Sequence, residues 1–317
     1  MTTLIFVDKP AVARIVLNHL PADIDPQDAY VVHMLLTGPA RMQFVRGKPM
    51  SAYPLIAEPR FTLNENIRYA AHPVATYEKG LQDTIAVTNL PAVHRIVYAV
   101  DPDHSGIWAF RTALALWFGD EVARAAHEAW LLTGLDERSV KTAIEAKTTT
   151  SALDEAYDYA CTKRYFEYQW TNNAHAVLAQ NGVGAPSKFG LQLLYFLRRQ
   201  TGPLSEAQLV ACMARWRGTG KYPCGEMGSP ASRASLLGQL RMLGFVLSTK
   251  NGVFLADQGN ALLARLHPDC EDLDLPQRLD QWCVAGLQAS KPSIDKYIRT
   301  VFGKQLRFAA RAQSLSQ

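Results

Sequence analysis

The chain has 317 residues, 48% of them hydrophobic and 20% charged, with 17 Pro and 20 Gly. This is ordinary globular composition at a length expected for two domains, and it excludes disordered and collagen-like chains. The apolar runs are shorter than the ~18–20 residues of a membrane span, and the N-terminus has no basic n-region, so no membrane association is expected. Five widely spaced cysteines (Cys161, Cys212, Cys224, Cys270 and Cys283) with no C-x-x-C pair argue against a disulfide framework or a tetra-cysteine zinc site and indicate a cytoplasmic protein with reduced thiols. The net charge is +4, unevenly placed: residues 1–150 hold 14 Lys/Arg and 16 Asp/Glu, residues 151–317 hold 19 and 13. An acidic front half suits a cation, and a basic back half suits a polyanion.

Leu4-Ile5-Phe6-Val7 reads as a buried strand stopped by Asp8-Lys9-Pro10, with a helix over 11–20 behind it. Residues 21–75 read as loops and short strands, among them 29–36 and 42–45. Two further buried strands are predicted at 83–88 and 95–100. The second runs into Asp101-Pro102-Asp103-His104-Ser105-Gly106, followed by a helix over 107–118. Strands alternating with helices and ending in acidic turns describe an open α/β sheet, in which ligands bind at the carboxyl ends of the strands.

From residue 120 the pattern is helical, with helices predicted at 120–132, 139–147, 152–178, 188–200, 204–216, 232–243, 257–266, 275–290 and 293–313. Ser205 is the predicted cap of the helix over 204–216. Lys250-Asn251-Gly252 between apolar runs at 245–249 and 253–256 predicts a β-hairpin. The fold class is therefore α/β: a sheet domain over 1–118, then a mainly helical domain over 119–317 with a winged-helix-like hairpin at 245–256 and a basic C-terminal tail.

Asp8, Asp101 and Asp103 are the first candidates for chemistry. Carboxylates at i and i+2 in a turn can face one hard cation such as Mg²⁺, with a third from a neighbouring strand end. The competing reading of Asp-Pro-Asp is a turn with an Asx helix cap. Tyr165, Phe166 and Tyr168 suit base stacking or core packing equally well, and His94, His104 and His175 lack metal-ligand spacing.

The opening Ile5-Phe6-Val7-Asp8-Lys9-Pro10 and the later Asp101-Pro102-Asp103-His104-Ser105-Gly106 resemble the two acidic motifs of the toprim domain in type IA DNA topoisomerases, topoisomerase III-like members in particular. Arg164-Tyr165-Phe166-Glu167 through Asn173 resembles that family's strand-gripping helix. Ser205-Glu206-Ala207-Gln208-Leu209, Gly228-Ser229-Pro230-Ala231-Ser232-Arg233 and the hairpin with Leu255-Ala256-Asp257-Gln258-Gly259 resemble later motifs in the same order. The resemblance implies a toprim-like domain plus the base domain beside it. It also implies a DNA partner, single-stranded in preference, with Lys9, Arg164, Asn173 and Arg233 on nucleic acid. Asp8 would stand at the catalytic acid/base position, and Asp101, Asp103 and Asp8 would hold Mg²⁺.

The departures are specific. The family's first glutamate is Asp8, the third acid of its second motif is Ser105, and the Gly-Arg-Val-Gln-x-Pro segment is poorly kept around Gly184–Phe189. There is no room between Gln200 and Gly228 for the arch that carries the nucleophilic tyrosine. Tyr222, in Lys221-Tyr222-Pro223-Cys224, is the one candidate nucleophile, beside its reading as a loop tyrosine. The expectation is a reduced DNA-binding relative that cannot relax supercoils alone, as in plasmid or mobile-element processing with other DNA-processing proteins. The alternatives are a Mg²⁺-dependent strand-cleaving enzyme and a non-catalytic protein scaffold.

Overall fold

The computed structural model describes residues 1–34, 40–63, 70–79, 84–179 and 183–315. It divides into two compact units, Met1–Gln43 with Arg60–Cys161, and Phe44–Pro59 with Thr162–Gln317. The first is α/β and the second mainly helical, in agreement with the fold class read from the sequence.

In the first unit, β1 (Thr2–Val7) is buried at all six positions. A strand without polar alternation must be covered on both faces. Leu4 and Phe6 enter one cluster with Phe110, Ala113 and Leu114, and Ile5 and Val7 enter a second with Val12, Ala13 and Val16. The chain continues through α1 (Pro10–Leu17), β2 (Ala29–His33), β3 (Ala40–Met42), β4 (Phe61–Leu63), β5 (Ala70–Pro73), β6 (Ile85–Ala86) and β7 (Val93–Ala99). It then forms α2 (His104–Phe118), α3 (Asp120–Arg124), β8 (Glu128–Ala129), α4 (Glu137–Glu145), β9 (Thr148–Thr149) and α5 (Asp154–Val177), the last running on into the second unit. The sheet order is β6-β5-β2-β1-β7-β8-β9; β2, β1, β7 and β8 are mutually parallel, and the pairings β2–β5, β5–β6 and β8–β9 are antiparallel. The faces divide the helices: α2 covers one, while α1 and Val140 and Ile144 of α4 cover the other.

Two predicted elements differ in this unit. The helix expected over 120–132 stops at Arg124, and Glu128 and Ala129 instead add a parallel strand to β7. Strand pairing there buries Ala129 and Trp130 completely, a gain that local helical spacing does not register. The strand expected over 83–88 is only Ile85–Ala86 followed by a 3-10 turn over Val87–Asn89, with Asp83 outside the described residues. Of the strand expected over 29–36, Ala29–His33 forms, Met34 lies beyond its end, and 35–36 lie outside the described residues.

His33, His72 and Tyr77 cluster beside β2. The two imidazoles lie 4.7 Å apart, and His33 Nε2 is 2.8 Å from the Tyr77 hydroxyl. Burial, and then the neighbouring His72, lower the His33 pKa from the usual 6.5 to about 4, and burial also lowers His72.

In the second unit, α5 is followed by α6 (Lys188–Arg198), α7 (Glu206–Ala214), α8 (Pro230–Met242), β10 (Val246–Thr249), β11 (Gly252–Leu255), α9 (Asp257–Ala264), α10 (Leu275–Ala285) and α11 (Leu287–Leu315). Ser205 caps α7 in a reciprocal capping box with Gln208, and Ser229 caps α8, where Pro230 takes the first position. The hairpin forms, but its two loop residues are Lys250 and Asn251, because Thr249 pairs with Gly252. Gly252 sits at φ 131°, and a Cβ there would stand 2.7 Å from the Leu204 carbonyl oxygen. That close approach requires glycine within the strand. The break expected near Lys291 falls at Gly286 (φ 82°), and Pro292 lies inside α11. Pro292, the sixth residue of α11, gives up the bond an N–H there would make to the Gln288 carbonyl and the helix continues through it, whereas Gly286 at positive φ ends the preceding helix.

Segment 44–59 is bound to α5 by side-chain amides. Asn173 accepts from the Leu55 N–H (2.7 Å) and donates to the Leu55 carbonyl (2.8 Å). One turn earlier, Gln169 accepts from the Ala57 N–H (3.2 Å) and donates to the Ala57 carbonyl (2.6 Å). Asn172 accepts from the Val45 N–H at 2.9 Å. Residues i and i+4 on one helix face thus reproduce the pairing that a neighbouring strand would give to alternate residues of an extended segment.

Two outcomes test these assignments. The unfolded chain binds a proton at His33 near pH 6.5, and the folded chain does so only near 4. Stability therefore falls as pH drops through that window. Urea midpoints at pH 7.5, 6 and 5 should decline in that order, with a smaller decline in His33→Gln. Asn173→Ala leaves a buried N–H and carbonyl unpaired and should cost about 2–3 kcal/mol in urea unfolding. It should also open residues 44–59 to limited proteolysis, a readout that a residue serving only a ligand would not move.

Candidate functional site

The site is built at the carboxyl ends of β1 and β7, which are adjacent and parallel with Val7 opposite Ala99. Each strand leaves the apolar layer there through an acidic turn, Asp8-Lys9-Pro10 after β1 and Asp101-Pro102-Asp103 after β7. Asp8 is partly buried, with 18% of its side chain exposed, and its Oδ2 lies 3.6 Å from the Lys9 ammonium, which is 52% exposed. Asp101 and Asp103 are exposed.

Local geometry fixes the second turn tightly. The Asp103 N–H donates to the Asp101 carbonyl at 2.8 Å, and the Tyr98 hydroxyl donates to the same oxygen at 2.5 Å. The Asp103 carboxylate caps α2 by accepting from the Gly106 N–H at 2.6 Å. At Gly106 a Cβ would lie 2.4 Å from the Asp101 carbonyl and 2.7 Å from the Tyr98 hydroxyl, so glycine is required. The Asx-cap reading of Asp103 is therefore realised, and it leaves the second carboxylate oxygen outside that bond. Tyr98 was not singled out from the sequence; as a strand residue it carries no local signal of a hydrogen bond to the turn three residues on.

Negative charge is concentrated here. Burial, and then the charges of Asp8 and Asp103, raise the Asp101 pKa, with Lys9 opposing them. No group of three or more His, Cys, Asp or Glu side chains among the described residues forms a ready-made metal cage. Mg²⁺ commonly uses one or two carboxylates and completes its shell with water and substrate phosphate. A crowded carboxylate pair with a half-engaged third suits that mode better than an all-protein cage.

The other predicted site residues lie in the second unit. Asn173 is fully buried, and both ends of its amide are bonded to Leu55. Arg233 is buried and ion-paired with Glu226. Arg164 Nη1 is 2.9 Å from Glu167, whose other oxygen is 2.8 Å from the buried Lys188 ammonium. Burial alone would raise Glu167, but Lys188 and then Arg164 outweigh it and hold the carboxyl at about 2. All three residues answer internal demands of the unit, and Arg164 alone keeps a partly exposed side chain (37%). Tyr165, Phe166 and Tyr168 are buried, the core alternative of the two readings.

Tyr222 is partly exposed, with the Lys221 ammonium 5.5 Å from its ring centroid. Arg278 of α10, itself paired with Asp272 at 2.7 Å, is a neighbour of the Tyr222 hydroxyl that sequence spacing does not reveal. Cys224 is exposed and unpaired, as the other four cysteines are also unpaired.

No family model matches the chain, and no curated protein matches it. Among solved structures, it is similar to the full-length topoisomerase I of Thermotoga maritima in a monoclinic crystal form, with a TM-score of 0.38 and 13% identity. The match covers 69% of this chain and 31% of that protein, so the chain spans about a third of its length. At that level the likeness does not establish a shared fold. No helix among the described residues is long and apolar enough to cross a membrane.

The acidic cluster makes a direct prediction. A carboxyl raised in the folded state destabilises the fold above its unfolded pKa, and the penalty disappears once it is protonated in both states. Asp101→Asn should therefore raise the melting temperature at pH 7, with the gap to the native protein closing toward pH 4. A variant less stable than the native protein at pH 7 would show that the carboxylates are not repelling one another.

Proposed function

We propose that the protein binds DNA as a reduced, type IA topoisomerase-like chain, with a toprim-like first unit and a winged-helix-like hairpin in the second. Single strands are its preferred form, and it does not relax supercoils alone. The observation that carries this reading is the pair of acidic turns at the carboxyl ends of the adjacent parallel strands β1 and β7. The resemblance to the two toprim motifs implies that those turns meet, and open α/β sheets bind ligands at that edge. Lys9 and the exposed part of Arg164 would contact phosphate. Asp8, Asp101 and the free oxygen of Asp103 would hold Mg²⁺, whose charge would offset the crowded carboxylates and a phosphate beside Lys9. Asn173 and Arg233 enter as scaffold residues.

A second reading, Mg²⁺-dependent strand cleavage, is favoured by one observation. Tyr222 is partly exposed, with the Lys221 ammonium 5.5 Å from its ring centroid and the Arg278 guanidinium beside it, cationic groups able to hold a phosphate next to the phenol.

Fluorescence anisotropy with labelled single-stranded and duplex oligonucleotides, with Mg²⁺ and with chelator, tests the first reading. Tighter single-strand binding is expected, with a Mg²⁺ effect that is lost in Asp101→Asn. Absence of binding at low salt would leave only a protein scaffold. A covalent protein–DNA adduct that vanishes in Tyr222→Phe would establish the second reading in its place.

A further inference from the structure

Between Lys291 and Arg311, α11 carries six basic residues and a single acid, Asp295. Its apolar face is already occupied, since Ile294, Ile298, Val301 and Phe302 are buried in the second unit. The outer face lines an open concavity of about 710 Å³ whose walls include Lys296, Arg299, Thr300 and Arg307. Two of the basic residues are neutralised within the unit. Lys291 lies 3.2 Å from Asp295 and 3.3 Å from Glu58, and Lys304 pairs with Asp269. Lys296, Arg299, Arg307 and Arg311 are exposed and have no carboxylate within ion-pair distance among the described residues.

Helical geometry places these four cations in a row. At ~1.5 Å and ~100° per residue, positions 296, 299, 307 and 311 fall within about a third of the helix circumference and extend over roughly 22 Å. A row of that length does not converge on one anion, so it is not built for a free phosphate or a carboxylate. It also lacks what an interfacial membrane helix needs, a free apolar face, because that face is packed inside the unit. A chain of regularly spaced phosphates is the ligand that matches it.

We propose that the outer face of α11 is a track for a nucleic-acid backbone, in which Lys296, Arg299, Arg307 and Arg311 neutralise about four phosphates. The inference rests on the DNA-binding reading but concerns residues outside the acidic-turn site. The track supplies affinity without reading sequence, since phosphate contacts position a nucleic acid and base contacts specify it.

The test is the salt dependence of oligonucleotide binding by the full chain. Replacing all four residues (Lys296→Gln, Arg299→Gln, Arg307→Gln and Arg311→Gln) should reduce the slope of log K against log salt by about 3–4 for a duplex and about 3 for a single strand. Affinity at about 0.1 M salt should fall at least tenfold. Circular dichroism should be unchanged, because all four side chains are exposed. A control with two exposed cations removed elsewhere, Arg138→Gln with Lys141→Gln on α4, should keep the native slope. Native binding with an unchanged slope in the fourfold variant would overturn the track and leave the DNA reading standing. So would an equal fall in the control. Absence of native binding at about 50 mM salt would overturn both. Capture of the native chain by phosphatidylserine vesicles but not by oligonucleotides would assign the row to lipid instead.

Discussion

Burial of β1 on both faces is the constraint on which the first unit depends. A six-residue strand with no exposed position needs parallel partners on both sides and a helical layer above and below. Once β2 and β7 flank it and α1 and α2 cover it, the chain can meet solvent only at the strand ends. The acidic turns stand at those ends because the apolar layer stops there. Their proximity follows from the strand register, with Val7 opposite Ala99, and needs no attraction between them. The sheet holds Asp8, Asp101 and Asp103 together against their mutual repulsion. Charge assembled in this way by a rigid scaffold is a common mark of a functional site.

The second unit shows the complementary rule, that buried polar groups must find partners. Gln169 and Asn173 are engaged by the backbone of residues 55 and 57, Arg233 by Glu226, and Glu167 by Lys188 and Arg164. Residues whose chemistry suits a phosphate or a base equally suit these internal duties. What distinguishes the two uses is accessibility. Lys296, Arg299 and Arg307 are exposed with no carboxylate in ion-pair distance among the described residues, whereas Asn173 and Arg233 are buried. The positive charge available to a polyanion in this unit is therefore on α11 more than on the motif residues that the resemblance first singles out.

Local chemistry was legible wherever one element satisfied its own demands. The apolar run of β1, the Ser205 cap and the Asx-cap alternative for Asp103 are short-range signals, and each is present in the structure. The misplacements occurred where distant groups set the outcome. Residues 128–129 became a strand because β7 offered an edge, and Gly252 moved into the strand because the Leu204 carbonyl approaches it. The helix break moved to Gly286 because the chain takes a positive φ there, and α11 runs on through Pro292.

The amino-acid sequence by itself determined the α/β class, the two acidic turns, the helical second half and its basic close, since composition, periodicity and capping act over a few residues. Tertiary structure alone decided which of the polar candidates remain free for a ligand. It brought Arg278 to Tyr222 and Leu55 to Asn173, pairings made by packing across 56 and 118 positions respectively. Burial and partner choice depend on the whole folded surface, and so no spacing in the chain encodes them.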